Sequence, residues 1–415
     1  MWTRKASLLT GLGALALALG LVARSPAAVA AGLATLAFVV VNRLLFRGSA
    51  EVHAAREMDL YRVFEGDATR VQVHLQNPGK RLLFLEVRDR LPRQLALEEG
   101  AAYDFVALPR GGRDELDYTA RAPLLGVYEV GPTDLRVEDP FGLFFEERAL
   151  GGSTTLWVLP RKEDLRKAAL VSNLPMPLLG EHQVNRPGDG FDFFALREYV
   201  PGDTMRSVNW KASARSGKMM VNQMMRTTAA EVAVFVDGRA VTGVGAEERA
   251  ARVTVARAAA SAVDFIYARK DNARVILYAD HVSEIEPQPA ERMLPLVLQT
   301  LAEMVPKGDV PFVEAVRQVL PSLKRQTPVL IVSPLVDDGT IVEGVSTLLA
   351  NDMIVNVISP EPEPIPGADP RFDAALRAER EAVLQDLRGF GAGVITLAPG
   401  ASLAAAIEKG RVMVA

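Results

Sequence analysis

The chain has 415 residues, 49% hydrophobic and 24% charged, with a formal net charge of −4 and no cysteine. That length exceeds what one core usually fills and leaves room for two or three domains. The weakly acidic balance argues against a dedicated nucleic-acid binder, which carries a basic face, and the missing cysteines exclude disulfides and thiolate metal sites.

Residues 7–23 carry no charge, "RSP" follows, and a second uncharged stretch runs from Ala27 to Asn42. A membrane helix needs about 20 apolar residues; the second stretch reaches that length if Arg43 snorkels and Leu44–Phe46 are counted. Frequent Gly and Ala suit close packing of two helices. A cleaved signal peptide is the alternative, but the immediate second apolar stretch favours a hairpin. Arg4 and Lys5 precede the first span, Arg43 and Arg47 close the second, and only Arg24 lies in the turn. Both ends are therefore expected in the cytosol, with the protein a two-helix resident of the inner membrane.

Residues 51–160 alternate with period two between Gly/Pro turns, as in "TRVQVHLQNPGK", "RLLFLEVRDRLP" and "TTLWVLPR". Seven candidate strands at this spacing predict a β-sandwich. Asp139-Pro140-Phe141-Gly142 reads as a fixed turn with a buried Phe. From residue 230 the rhythm changes: "EVAVFVDG" is a continuous apolar run, and Val253, Ala256, Ala260, Val263 and Tyr267 recur at helical spacing. Strands "ARVILYAD", "TPVLIVSPL", "MIVNVIS" and "GVITLAP" then alternate with helices at 290–305, 311–324, 340–351, 372–389 and 401–409, with a surface loop at 360–370. This predicts an α/β doubly wound parallel sheet. The expected organisation is a multi-domain chain: a transmembrane helical hairpin (1–48), an all-β, Ig-like sandwich (49–162), a linker and signature segment (163–229) and the α/β domain (230–415).

Chemistry is sparse. His53, His74, His182 and His281 show no ligand spacing. "ASARSGKM" lacks the first glycine and the hydroxyl of a phosphate-binding loop, having Ala212 and Met219 there. Ser207 and Ser213 lack a lysine three positions on, and Asp189 with Asp192 would be a solvated carboxylate pair. Between Asp192 and Arg226 stand six Lys/Arg and three Asp/Glu, with Tyr199 and Trp210. Base stacking on a single strand is one reading of that stretch. Interleaved Asp192, Glu198 and Asp203 suit internal ion pairs with Arg197, Arg206 and Arg215 better. A structural joint or partner-docking element, with Trp210 buried in it, is favoured over a catalytic site.

The stretch 188–223, "GDGFDFFALREYVPGDTMRSVNWKASARSGKMMVNQ", closely resembles the signature of domain-of-unknown-function family fifty-eight. The matching positions are Gly188, Gly190, Phe193, Leu196-Arg197, Tyr199, Pro201-Gly202-Asp203, Arg206, Asn209-Trp210 and Ala212-Ser213-Ala214-Arg215, with Asp192 replacing the usual Glu. "EGDATRVQVHLQNPG" and "GVYEVGPTDLRVEDPFGLF" upstream look similar too. The resemblance implies a von Willebrand factor A-like fold for the α/β part. In such domains the first strand ends at an Asp-x-Ser-x-Ser metal site. Asp237 holds the first position, but Arg239, Val241, Val310 or Pro311, and Pro334 stand at others, so Asp237 reads as a degenerate remnant with no metal. Asp337 or Asp338 are weaker substitutes.

The resemblance further implies a membrane-held adaptor for a MoxR-type AAA+ ATPase, or for other von Willebrand factor A-like membrane proteins, since such proteins are commonly encoded together. No reaction, cofactor or nucleic acid is expected. The rivals are a hydrolase using Asp203 or Asp237, and a nucleic-acid contact through Lys211, Arg215 and Lys218.

Overall fold

The computed structural model describes residues 1–46, 52–79, 83–166, 183–227, 231–243, 250–336, 339–362, 370–398 and 400–409. The chain divides into two compact units, Met1–Leu159 and Pro160–Ala415.

The first unit opens with two helices, α1 (Arg4–Val22) and α2 (Pro26–Leu45), each long and apolar enough to cross a membrane. Thr3 and Ser25 cap them, and Pro26 opens α2 where its missing N–H costs nothing. The helices approach closely at glycines: a Cβ on Gly20 would meet Val29 N at 2.6 Å, and one on Gly32 would meet Leu17 N at 2.6 Å. Leu8, Leu12, Leu15 and Leu19 all lie more than half exposed, which water does not favour and lipid does.

A β-rich region follows. Its strands are β1 (His53–Met58), β2 (Arg62–Phe64), β3 (Ala68–Gln76), β4 (Leu83–Asp89), β5 (Ala96–Gly100), β6 (Tyr103–Leu108), β7 (Arg113–Arg121), β8 (Gly126–Val130), β9 (Thr133–Glu138), β10 (Phe145–Leu150) and β11 (Thr154–Leu159). They form two four-stranded sheets, β1-β3-β7-β5 and β10-β9-β4-β6, and a three-stranded one, β2-β11-β8. Alternate residues of both larger sheets, Val71, Val73 and Leu75 from one and Leu85, Val87 and Leu135 from the other, share one core. The seven expected strands are present; β1, β2, β5 and β10 are additional, and their sequences "HAAREM", "RVF", "ALEEG" and "FEERAL" hold too few β-formers to announce themselves. Within the core, Asp89 links the sheets. It pairs with Arg56, accepts from Tyr118 Oη at 2.6 Å and from Thr133 Oγ1 at 2.9 Å, and the ion pair has side-chain exposures of 1% and 0%. The Asp139 turn forms as expected, yet Phe141 is 57% exposed; the buried ring is Phe144, which Asp139 fixes by accepting from its N–H at 2.6 Å.

In the second unit β12 (Gln183–Glu198) pairs antiparallel with β13 (Met220–Thr227), and the short helix α3 (Trp210–Ser216) lies between them. The α/β part then runs β14 (Glu231–Asp237), α4 (Ala251–Ala268), β15 (Asn272–Tyr278), β16 (Val282–Ile285), α5 (Ala290–Glu303), α6 (Phe312–Val319), β17 (Pro328–Val332), α7 (Ile341–Ala350), β18 (Ile354–Pro360), α8 (Pro370–Gly389), β19 (Gly393–Leu397) and α9 (Leu403–Lys409). Its six strands are ordered β16-β15-β14-β17-β18-β19. The sheet is mixed, not wholly parallel: β16 runs antiparallel to β15 at the edge. The four-residue strand follows a short turn and carries Val282 and Ile285 around polar neighbours, too little to read from pattern. One face packs Phe235, Ile331 and Val357 against α6, α7 and α8, with Phe312 edge-on to Phe235 at 5.4 Å. Most of the 360–370 loop, 363–369, lies outside the described residues.

Candidate functional site

Two places in the second unit concentrate polar chemistry. The first is the signature hairpin. Arg197 forks onto Asp203, with Nη1 to Oδ2 at 2.7 Å and Nη2 to Oδ1 at 2.5 Å. Asp203 Oδ2 also accepts from Val200 N at 2.9 Å, and Asp203 N donates to Val200 O at 3.0 Å, closing the Pro201-Gly202 turn. The Arg197 guanidinium, and then the Val200 N–H, hold the Asp203 carboxyl below its ordinary range. The pair is half-buried, not withdrawn from bulk water: the two side chains are 37% and 18% exposed.

Asn209 caps α3 by accepting from Ala212 N at 3.0 Å, donates its amide to Asn222 Oδ1 at 2.8 Å, and donates its own N–H to Met220 O at 2.8 Å. Ser213 Oγ donates to Asn209 O at 2.8 Å and accepts from Met220 N at 2.8 Å. These bonds staple α3 to β13, and Val208 and Val221 are buried beneath it. Lys218 pairs with Glu198 at 2.6 Å. Tyr199 joins the hairpin through its backbone, Tyr199 N donating to Met219 O at 2.9 Å.

The signature thus splits in two. Arg197, Asp203, Asn209 and Ser213 are consumed in holding the hairpin. Trp210, Arg206 and Arg215 are displayed by it. Trp210 is 63% exposed, contrary to the expected burial, because helix α3 turns Ala212 and Ser213 inward and leaves Trp210 outward. Leu196, Val200, Met205 and Met219 are exposed with it. Arg206 and Arg215 make no ion pair among the described residues, although one for each was expected. The side chains of Gly188 to Phe193, including the Asp189/Asp192 pair, lie outside the described residues, as do Asp337 and Asp338.

The second place is the carboxyl end of the mixed sheet. Strand β14 has β15 on one side and β17 on the other, so its end opens where α/β folds place ligands. Asp237 stands there, fully buried, and Arg239 closes on it: Nε to Oδ1 at 3.0 Å and Nη2 to Oδ2 at 2.8 Å. Ser333 Oγ donates to Asp237 Oδ2 at 2.7 Å and Arg239 N to Oδ1 at 3.1 Å. The guanidinium also lies 5.6 Å from the Tyr278 ring centre. Both oxygens are occupied, and the charge that a divalent cation would bring is already supplied by Arg239. The residues do not fit a metal, and among the described residues no three His, Asp or Glu come together as ligands. A carboxylate so engaged and so buried is not placed to act as a base.

Sequence reasoning missed Arg380 on α8. It is 7% exposed and donates to Pro334 O at 3.2 Å and Ser359 Oγ at 3.0 Å, gripping the 333–336 loop that Arg239 Nη2 also meets, at Val336 O, 3.5 Å away. Burial pulls its guanidinium below the ordinary value. The signal was available: Arg380 shares the helical stripe of buried Leu384 and Leu387.

Residues 195–370 match the family model described as "Protein of unknown function DUF58". The match covers less than half of the chain, supports the resemblance carried by the hairpin, and brings no activity with it. Among curated proteins no match was found. Solved structures are similar over about a quarter of the chain. The cupredoxin domain of amoB from Nitrosocaldus yellowstonii is 13% identical, covering 26% of this chain and 86% of that one at a TM-score of 0.21. The CARDB domain of PF1109 from Pyrococcus furiosus is 14% identical, covering 26% and 89% at 0.19. A FixG-related protein from Vibrio parahaemolyticus is 9% identical, covering 26% and 95% at 0.19. Scores this low carry no argument.

Proposed function

We propose that the chain is a membrane-anchored, non-enzymatic adaptor whose signature hairpin docks a protein partner. The observation that carries this is the exposure of Trp210 on a hairpin otherwise locked by its own polar residues. Trp and Arg dominate binding hot spots, and a rigid element displays them without an ordering cost. Lys211 and Arg215, one helical turn apart, and Arg206 would rim the contact, so the partner surface is apolar at its centre and acidic around it.

The family resemblance points to a MoxR-type AAA+ ATPase, or a second von Willebrand factor A-like membrane protein, as that partner. A von Willebrand factor A-like assignment for the mixed sheet draws support from its strand order, 3-2-1-4-5-6 when counted within the sheet, with the third strand antiparallel. Arg4, Lys5 and Arg43 at the open end of the helix pair, against Arg24 in its turn, favour an inner-membrane protein with both soluble units in the cytosol. A reporter active only in the periplasm, fused after Ala415, is expected to stay silent; a strong signal rejects that placement. Retention of the ATPase on the immobilised full chain, lost with Trp210→Ala, tests the adaptor role.

The exposed Trp210 beside Lys211 and Arg215 also fits a base-stacking platform for a single strand. Oligonucleotide binding that falls steeply with salt and vanishes with Trp210→Ala would favour that rival.

A further inference from the structure

The loop joining β9 to β10, residues 139–144, grips both apolar helices. Thr3 Oγ1 donates to Gly142 O at 2.8 Å, and Thr3 N donates to Leu143 O at 3.0 Å. Phe144 is 1% exposed and sits between Trp2, edge-on at 5.5 Å, and Phe46 at 6.1 Å, with the Arg43 guanidinium 5.9 Å from its ring centre. Leu143 and Phe144 are buried with Ala6 of α1 and Val39 of α2. This end of the β-rich region is thus fixed to the start of α1 and the last turns of α2.

Phe141 is different. It is 57% exposed, yet its ring meets Phe38 of α2 at 5.1 Å. Phe38 lies seven residues before Leu45, so the contact sits about 10 Å along the helix from its end. The loop therefore reaches alongside the apolar stretch instead of stopping at its mouth. The sheet register places Phe84 opposite Glu138, and Glu138 opposite Phe145, on the rung at this same end. Phe84 is 48% exposed and Trp2 is 53% exposed. Exposed aromatic rings beside Arg4, Lys5 and Arg43 are the chemistry of a bilayer's interfacial layer, where rings sit at headgroup level and cations meet anionic lipid.

We propose that this end of the β-rich region is itself a lipid contact: Phe141 enters the headgroup–acyl boundary of the membrane that α1 and α2 enter, with Trp2 and Phe84 at headgroup level. The occupant is lipid, not a protein partner, because the patch continues the outward-facing surface of the helices. The proposal rests on the helix pair lying in the bilayer. Its effect is to add a lipid attachment to the loop that already clasps the start of α1 and the last turns of α2.

The absence of cysteine makes single-site labelling free of background. Full-length Phe141→Cys, Phe84→Cys, Ser153→Cys and Val40→Cys, each carrying a bimane probe, would be placed in vesicles of zwitterionic and anionic phospholipid. Some vesicles carry a nitroxide near the headgroup, others deep in the chain. Ser153 is exposed at the opposite end of β10 and serves as the aqueous reference. The proposal expects loss of fluorescence at 141 and 84 with the shallow nitroxide, none at 153, and loss at 40, which lies near the same end of α2 as Phe38, with the shallow one too. Probes at 141 and 84 that behave like the one at 153, while 40 is quenched, overturn the lipid contact, leave the helix pair in the membrane, and return the patch to a protein partner. An unquenched probe at 40 rejects insertion of the helices, and the proposal with it.

Discussion

Arg239 grips Asp237 two residues earlier through two contacts, 3.0 and 2.8 Å, with both side chains out of water. An internal cation thus stands where a divalent metal would have to enter. Titration of the detergent-solubilised full chain with Mg²⁺ is expected to give no isotherm that depends on Asp237. A stoichiometric signal abolished by Asp237→Asn contradicts this. Arg239→Ala removes one half of a buried pair and is expected to destabilise the α/β part by about 3–5 kcal/mol, read as an earlier unfolding midpoint.

In the first unit, the buried Asp89 carries the parallel case. Tyr118 donates to it at 2.6 Å, and burial, followed by the Asp89 charge, raises the pKa of the Tyr118 hydroxyl. Tyr118→Phe leaves that carboxylate short of a donor and is expected to cost about 1–3 kcal/mol. Gly131→Ala is expected to cost more. Its φ is +92°, and a new Cβ would fall 2.2 Å from Arg56 Nη2, the group that pairs with Asp89. Amide hydrogen exchange across β4, β7 and β9 ranks the two variants; unchanged protection in Gly131→Ala refutes the account.

Much of this was legible in the sequence. The helix pair, the rhythm of β3, β4 and β7, and the apolar β14 are carried by local pattern alone. The short edge strand β16 was not, because four residues with two apolar positions hold too little periodicity. Trp210 was misjudged for another reason. A large aromatic in a strong motif is usually buried, and only the helix phase, fixed by the Asn209 cap and the Ser213 bonds, turns it outward. Arg380 was hidden by its type: an arginine on a buried stripe reads as an error until the carbonyls it meets are known.

The hairpin turn should respond to pH in one direction. Because the folded-state pKa of Asp203 is lowered, its charge stabilises the turn above the ordinary carboxylate pKa. That contribution is lost as pH falls below about 4. Hydrogen exchange at Val200, whose N–H donates to Asp203, is expected to be slow at neutral pH in the wild type. After correction for the intrinsic rate, it should approach the level of Asp203→Asn at acid pH. Equal protection in both proteins at neutral pH contradicts the assignment.

The central claim is that the hairpin's polar residues build a platform and Trp210 does the binding. The direct measurement compares Trp210→Ala with Asn209→Ala in the full chain, by thermal unfolding and by retention of a MoxR-type ATPase with and without ATP. Trp210→Ala is expected to unfold like wild type and lose the ATPase. Asn209→Ala, which removes a helix cap, should lower stability by about 1 kcal/mol. If Trp210→Ala retains the ATPase as wild type does, or loses it only by unfolding, the hairpin is not the docking surface and the adaptor reading falls.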